Sequence, residues 1–486
     1  MRSKHFFIMI ACVLIVALGA VFFFTSNDSG EPLSPSGTPL TGGEATESLS
    51  DEELLEKFSQ ALETIDSSYV EELDQADLIE GAINGMVETL DDPFSSYMNR
   101  EDAEEFQQSL SSNFEGIGAE VGMVDGQVTI ISPMKDSPAE QAGILPNDSI
   151  VAIDGESIEG WSVDEAVAQI RGEGGTDVTL TIDRSAAADT FDVEVTRDTI
   201  TVESVRTETI EKDGQTVGHL EVTNFSEDVA TQFEEGLTEL ENEGMDGLIV
   251  DVRGNPGGYL QAAEEIGDQL IPEGEPVVQI EDGSGEKHAY LSKMEETKDY
   301  PVVGLINGSS ASASEILAAA MKESAGFELV GETTFGKGTV QQSIPMEDGS
   351  ALKITTDRWL TAGGNNIDGE GVEPTIEKMQ PDYFYSIALS VEEPLVADTV
   401  SDQVTNAQNM LKGLGFETGR NDGYFDEQTE QAVKAFQQSV DLEDSGEIDQ
   451  ETAGRLQEEI LEHIRDSDND LQLQTAIDVV LGHRDN

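Results

Sequence analysis

Cations, histidines and cysteine are scarce in this chain, and each scarcity closes off a class of chemistry. Against 100 Asp+Glu the 486 residues hold only 25 Lys+Arg, a formal net charge of −75. A surface so poor in positive charge cannot neutralise phosphates, so nucleic acid is excluded as a partner. The acidity runs along the whole chain rather than forming one tail. We read it as an adaptation to high salt, where self-repulsion is screened. Activity and melting temperature should then rise with NaCl, and a flat response would refute that reading. The single cysteine, Cys12, rules out an intrachain disulfide, a thiol nucleophile in a soluble domain and a cysteine-based zinc site. No metal or cofactor is expected. The histidines are His5, His219, His288, His463 and His483, none within a motif. A Ser/His/Asp triad is therefore poorly supported, although triad partners need not be close in sequence.

Long apolar runs are also lacking, with one exception. Phe6 to Phe24 is uncharged and follows Arg2, Lys4 and His5. At 1.5 Å per residue it spans roughly 28 Å, about one hydrocarbon core. It ends in Val21-Phe22-Phe23-Phe24 rather than a small-residue cleavage site, and apolar residues continue well past Cys12, which argues against a lipid anchor there. The expected layout is a cytoplasmic N-terminus (1–5), a transmembrane helix (6–24) and a flexible linker (25–49) rich in Ser, Gly, Pro and Thr. The remainder is then extracytoplasmic and bound to a cell membrane by a single span. What remains has an ordinary globular composition, 37% hydrophobic and 26% charged, and is long enough for about three domains.

Residues 50–110 carry helical periodicity. Leu54, Leu55, Phe58, Leu62 and Ile65 fall at 3–4 spacing. A second helix over 78–90 is ended by Asp91-Asp92-Pro93-Phe94, and a third covers 101–110. Helices this short need a partner surface, either the α/β region further along the chain or a second chain, so a homodimer is a candidate assembly. Residues 111–200 turn to Gly and β-branched residues, with Gly116-Ile117-Gly118-Ala119 before a strand, Ser137-Pro138-Ala139 further on, and a helix near 163–170. This order resembles a PDZ domain. The resemblance implies that the Gly116–Ala119 loop offers N–H groups to a peptide carboxylate and that the adjacent sheet edge accepts the peptide as a strand. A small β-barrel without a ligand is the plain alternative. Arg171, just past the helix, either caps its C-terminus or couples peptide docking to the domain that follows.

Residues 201–385 alternate strands (217–222, 247–252, 277–280, 302–306, 352–356) with helices (227–241, 259–270), the pattern of a layered α/β domain. Asp251-Val252-Arg253-Gly254-Asn255-Pro256-Gly257-Gly258 follows a strand. Its glycines suit either a tight turn or an oxyanion hole. Asn307-Gly308-Ser309-Ser310-Ala311-Ser312-Ala313-Ser314-Glu315 then opens a helix. Ser312 and Glu315 fit a capping box, yet a helix start also suits an oxyanion. Thr334-Phe335-Gly336-Lys337-Gly338 sets a lone lysine among glycines, and lysine serves as a base if desolvation lowers its pKa against the acidic background. Gly331–Lys337 also matches a phosphate-binding loop, but Gly338 stands where Ser or Thr must hold Mg²⁺, and a strand follows rather than a helix.

Together Asp91–Tyr97, the PDZ-like unit, Arg253–Gly258, Ser309–Glu315 and Thr334–Gln341 resemble the C-terminal processing (tail-specific) serine peptidases. The resemblance implies Ser312 as nucleophile, Lys337 as base and Gln341 as the assisting residue. The oxyanion donors would be the N–H groups of Ala313 and of Gly257 or Gly258, with Gly258 preferred. Residues 401–461, with Asp422-Gly423-Tyr424-Phe425 and a helix through Phe436, resemble the small helical peptidoglycan-binding domain, which implies peptidoglycan as a partner. A bundle used only for contacts with the peptidase is the alternative. The C-terminal tail is 462–486, and its residues 466–486 are expected to be mobile or dimer-bridging. The expected architecture is a multidomain α/β protein: a layered peptidase core with an inserted PDZ β-barrel, an N-terminal transmembrane helix and a small all-α C-terminal domain. The expected function is endoproteolysis at or near protein C-termini, on substrates with unstructured C-terminal ends. A non-catalytic PDZ and wall-binding scaffold is the rival.

Overall fold

A computed structural model describes residues 50–482, apart from 72, 125, 135–136, 185–189, 296 and 392. The transmembrane helix expected at 6–24 lies outside the described residues. Among those described, no helix is long and apolar enough to cross a membrane. The chain divides into a unit ending at Gln75 and a larger one from Ala76 onward. The first contributes the helix Asp51–Ser68, opened by a Ser50/Glu53 capping box and without a buried side chain.

In the larger unit, a six-stranded sheet runs in the order Val205–Lys212, Gln215–Val222, Gly247–Asp251, Val302–Ile306, Glu328–Gly331, Ile376–Glu377. Its first pair is antiparallel and the rest are parallel. The central strands, Gly247–Asp251 and Val302–Ile306, are buried at every residue. That explains their unbroken apolar runs, since a parallel strand here must bury both faces. Helices Val229–Glu243, Leu260–Leu270 and Ala313–Glu323 share one core with the sheet, built on residues such as Phe233, Ile266 and Leu317.

The other face is covered by an element the sequence did not lead us to expect. Leu471–Val480 is a helix whose Leu473, Ala476, Ile477 and Val480 pack on Val217, Ile249, Val303, Leu305 and Val330. The expectation of a mobile end over 466–486 is thus corrected for this stretch. A sheet buried on both faces needs a second cover, and the chain supplies it from its own end. Gly247 has no room for a side chain, because a Cβ there would sit 2.8 Å from Val480 Cγ2.

A second, antiparallel sheet pairs Ser96–Met98, Ala351–Leu360, Pro276–Glu281 and Lys287–Leu291, with Thr339–Pro345 also on Ala351–Leu360. Between Gly116 and Asp198 lies a separate barrel-like sheet with its own core, including Ile130, Ile144, Leu180 and Ile182. Among the described residues its edge strand Ala119–Val124 pairs only with Gln127–Pro133, beside the helix Val163–Ile170. Toward the end of the chain, helices Asp402–Gly413, Glu427–Ser439 and Gln450–Arg465 enclose a third core around Leu411, Phe425, Val433 and Phe436.

Candidate active site

Three loops leave the C-terminal ends of three neighbouring parallel strands: Val252–Gly258, Asn307–Ser312 and Glu332–Gly338. This end of an open α/β sheet is where its ligands bind. Ser312, Lys337, Gln341, Gly257 and Gly258 all line one cavity of about 1230 Å³ there.

The hydroxyl cluster sorts itself by hydrogen bonding. Ser310 Oγ donates to the Val252 carbonyl at 2.8 Å and Ser314 Oγ to the Asn255 carbonyl at 2.9 Å, so both tie loops together. Ser309 is exposed. Only Ser312 turns into the cavity, and among the described residues its hydroxyl donates to no acceptor. Its backbone is held at φ 54°, a left-handed conformation that costs a non-glycine residue about 1–3 kcal/mol. Of the expected capping box, the Ser312 N–H donates to Glu315 Oε2 at 2.8 Å. The Glu315 N–H goes to the Ser312 carbonyl at 2.9 Å.

Glu315 is fully buried and does more than cap. Its Oε1 accepts from Thr334 Oγ1 at 2.6 Å and Gly336 N–H at 2.7 Å, and its Oε2 from Lys337 N–H at 2.8 Å. One carboxylate therefore fixes the backbone of Ser312 and that of Lys337 together. Trp359 Nε1–H completes the hold by donating to the Lys337 carbonyl at 2.7 Å.

The Lys337 side chain is half-buried, with Nζ 5.0 Å from the centre of the Phe94 ring. Burial lowers its pKa below the usual lysine value, and the like charge of Lys353 lowers it further, against Glu315 and Asp92. Lys353 lines the same cavity, its Nζ 5.1 Å from the Phe106 ring centre. Gln341 Nε2 donates to Thr339 Oγ1 at 2.8 Å and Thr355 Oγ1 at 3.1 Å.

The glycine pair resolves into two jobs. Gly257 N–H donates to Asn255 Oδ1 at 2.9 Å, whereas Gly258 N–H and Ala313 N–H find no acceptor among the described residues. A Cβ on Gly257 would lie 2.7 Å from the Ala311 carbonyl oxygen and 2.8 Å from Ser312 Cβ, so this glycine lets the two loops touch. Buried Asn255 pins its loop by donating from Nδ2 to the Val222 carbonyl at 2.7 Å. His219, the one histidine in the core sheet, lies beneath the loops and does not line the cavity. Its Nε2 is 3.1 Å from Asp251 Oδ2.

In the PDZ-like unit, the N–H groups of Ile117 and Gly118 find no acceptor among the described residues. Their carbonyls are used, by Ala139 N–H at 2.8 Å and Met134 N–H at 2.9 Å. Gly116 ends one strand and Ala119 begins the edge strand. Arg171 occupies the C-cap of the helix, its N–H donating to the Val167 carbonyl at 2.9 Å. Its guanidinium lies over Phe114 and donates to Gln108 Oε1, on a helix whose Phe106, Ser109 and Leu110 line the cavity that holds Ser312 and Lys337. A second cavity of about 790 Å³ beside Arg171 shares Ser109 and Asn224 with the first.

Sequence reasoning took Glu315 for a cap only and passed over Asn255, Lys353 and Phe94. Their roles depend on contacts across long sequence separations, for which one chain carries no signal. The P-loop alternative finds no support, because the glycines around Lys337 pack on the chain. A Cβ on Gly336 or Gly338 would fall within 3.0 Å of the 368–371 backbone.

Family comparisons give a consistent picture. Residues 216–378 match peptidase family S41, 129–184 a PDZ domain, 400–456 a putative peptidoglycan binding domain and 14–102 the N-terminal domain of the activating protease CtpB. The carboxy-terminal processing protease CtpB of Bacillus subtilis is 47% identical over 423 residues, 87% of this chain and 88% of that one. CtpA of the same organism is 38% identical over 479 residues, 99% of each chain. A solved photosystem II D1 C-terminal processing protease is 28% identical, covering 68% of this chain and 94% of its own, with a TM-score of 0.41.

Proposed function

Because this chain belongs to the C-terminal processing serine peptidases of family S41, we propose that it is a membrane-anchored extracytoplasmic endopeptidase working through a Ser312–Lys337 dyad. The observation that carries this reading is one cavity lined by Ser312, Lys337, Gln341 and Gly258, where the Ser312 hydroxyl and the Gly258 N–H find no acceptor among the described residues and burial lowers the lysine pKa. Neutral Lys337 takes the Ser312 proton as Oγ attacks the scissile carbonyl. The developing oxyanion accepts hydrogen bonds from the Gly258 and Ala313 N–H groups, the second at a helix N-terminus. Protonated Lys337 then delivers its proton to the leaving amine, and water attacks the acyl-enzyme by the same route. Gln341, anchored by two threonine hydroxyls, holds the lysine side of the cavity.

The PDZ unit recognises an unstructured substrate C-terminus. Free N–H groups of Ile117 and Gly118 receive the carboxylate, and the edge strand Ala119–Val124 receives the peptide backbone. Arg171 links that cleft to the helix Arg100–Leu110 that forms part of the catalytic wall. The helical domain near the C-terminus offers peptidoglycan binding, the exposed helix Asp51–Ser68 a dimer contact, and residues 6–24 the membrane anchor.

The test uses soluble protein from about residue 45 with a disordered protein substrate. Cleavage should be lost in Ser312→Ala and in Lys337→Ala while binding of a C-terminal peptide is retained. Cleavage surviving Ser312→Ala would falsify the dyad, and peptide binding without cleavage in the unaltered protein would favour the scaffold.

A further inference from the structure

Behind the catalytic loops lies a buried polar cluster that the dyad does not use, closed by residues from the far end of the chain. Arg253 opens the loop that leads to Gly258. Its Nε donates to Asp251 Oδ1 at 3.0 Å and its Nη2 to Asp251 Oδ2 at 2.7 Å. The remaining edge of the guanidinium faces the C-terminal segment. Nη1 donates to Asp470 Oδ1 at 3.0 Å and Gln472 Oε1 at 3.1 Å, and Nη2 lies 2.9 Å from Asp470 Oδ2. Asp251 is 4% exposed and Gln472 1%.

Gln472 also reaches the other catalytic loop. Its Nε2 donates to Glu332 Oε1 at 2.8 Å and to the Lys378 carbonyl at 2.9 Å. Glu332 begins the segment that ends in Lys337. A single buried amide thus spans the loop that presents Gly258 and the loop that presents Lys337, and Asp470 fixes the arginine between them. Gln380 Nε2 donates to Asp470 Oδ1 at 2.6 Å, so the helical domain leaves and re-enters the peptidase at one point.

We propose that Asp470 and Gln472 are positioning residues for the peptidase, a C-terminal staple that holds the oxyanion loop through Arg253 and the lysine loop through Glu332. The staple lies outside both the peptidase match, 216–378, and the peptidoglycan-binding match, 400–456. An arginine bound bidentately on one edge and by two further acceptors on the other has almost no orientational freedom. Without the Asp470 charge, Arg253 would keep its pair with Asp251 but lose the anionic acceptor that fixes its outer edge, at the root of the oxyanion loop. Catalysis depends on sub-ångström placement of such donors.

The proposal rests on the peptidase reading above, and the test separates the two. Asp470→Asn in the full soluble chain keeps the helix cap that Asp470 Oδ1 gives to Leu473 N–H at 2.8 Å, since Asn caps as well as Asp, but removes the charge facing Arg253. The expected result is a kcat lowered about tenfold or more with KM within about twofold, the pattern of an interaction felt in the transition state. Ile477→Ala, in the same helix but away from the staple, should lower the melting temperature and leave kcat unchanged below it. A double-mutant cycle of Asp470→Asn with Arg253→Lys should be strongly non-additive in kcat. Unchanged kcat in Asp470→Asn would overturn the staple, as would an equal kcat loss in Ile477→Ala, or additivity in the cycle. An inactive parent protein would instead overturn the dyad.

Discussion

Replacing Glu315 by Gln isolates what its buried carboxylate does. Four donors converge on it, two on each oxygen: Thr334 O–H and Gly336 N–H on Oε1, Ser312 N–H and Lys337 N–H on Oε2. An amide can offer an oxygen to one pair only. If its NH₂ faces Thr334, that hydroxyl can turn and accept, but Gly336 N–H is left unsatisfied. If the NH₂ faces the other way, both Ser312 and Lys337 N–H groups lose their acceptor. The better orientation leaves one buried donor unpaired, at about 1–3 kcal/mol. The bonds that survive lose their charge assistance and about half their strength. We expect about 2–4 kcal/mol of lost stability, read as a melting point lower by a few degrees. Because the same group aligns Ser312 with Lys337, a shift of about 1 Å should cost about 100-fold in kcat/KM. Calorimetry and steady-state cleavage of a disordered substrate measure the two effects. Wild-type kcat/KM in folded Glu315→Gln would refute the claim that this carboxylate couples the two residues.

Three further outcomes follow from the same geometry. Lys337 is held below its ordinary pKa, so activity should need deprotonation at a pH below the usual lysine range; removing a like charge with Lys353→Gln raises that pKa, and the acidic limb of the kcat/KM–pH profile should move to higher pH. A limb that stays put would show that burial alone tunes Lys337. Gly257→Ala forces a Cβ to 2.7–2.8 Å from Ala311 O and Ser312 Cβ at φ 103°. The Ser312 loop must give way, so cleavage should fall at least 100-fold with peptide binding at the PDZ unit intact, and normal turnover would contradict the close approach. Gly118→Ala places a Cβ 2.5 Å from Ser137 Cβ at φ 71°, and C-terminal peptide affinity by fluorescence anisotropy should fall about tenfold or more through displaced N–H groups; unchanged affinity would remove the Gly116–Ala119 loop from recognition.

Much of the site could be read from sequence because its parts are local. Ser312 sits beside its own Ala313 N–H, and the Gly257-Gly258 pair follows directly on a strand. Which of the two glycine N–H groups is taken up within its own loop was a different matter. That depended on Asn255 Oδ1 occupying the Gly257 N–H, a contact that no spacing announces. Likewise the family resemblance pointed to Ser312, but what the neighbouring Ser310 and Ser314 do, bonding to carbonyls 58 and 59 residues away, is visible only in the fold.

The sequence by itself determined the elements whose cause is periodic or local. These are the fully apolar central strands, the amphipathic helices, the glycine-rich turns and the strongly acidic charge. Tertiary structure alone decided which polar groups meet. The last helix was expected to be a loose end because its apolar face, Leu473, Ala476, Ile477 and Val480, has no nearby partner in the chain. Its partners are strand residues from Val217 to Val330, and Asp470 meets Arg253 across 217 residues. A helix at the end of a chain and a helix that closes a core carry the same local pattern. What separates them is a sheet face left bare by every other element, and that exists only once the strands have assembled.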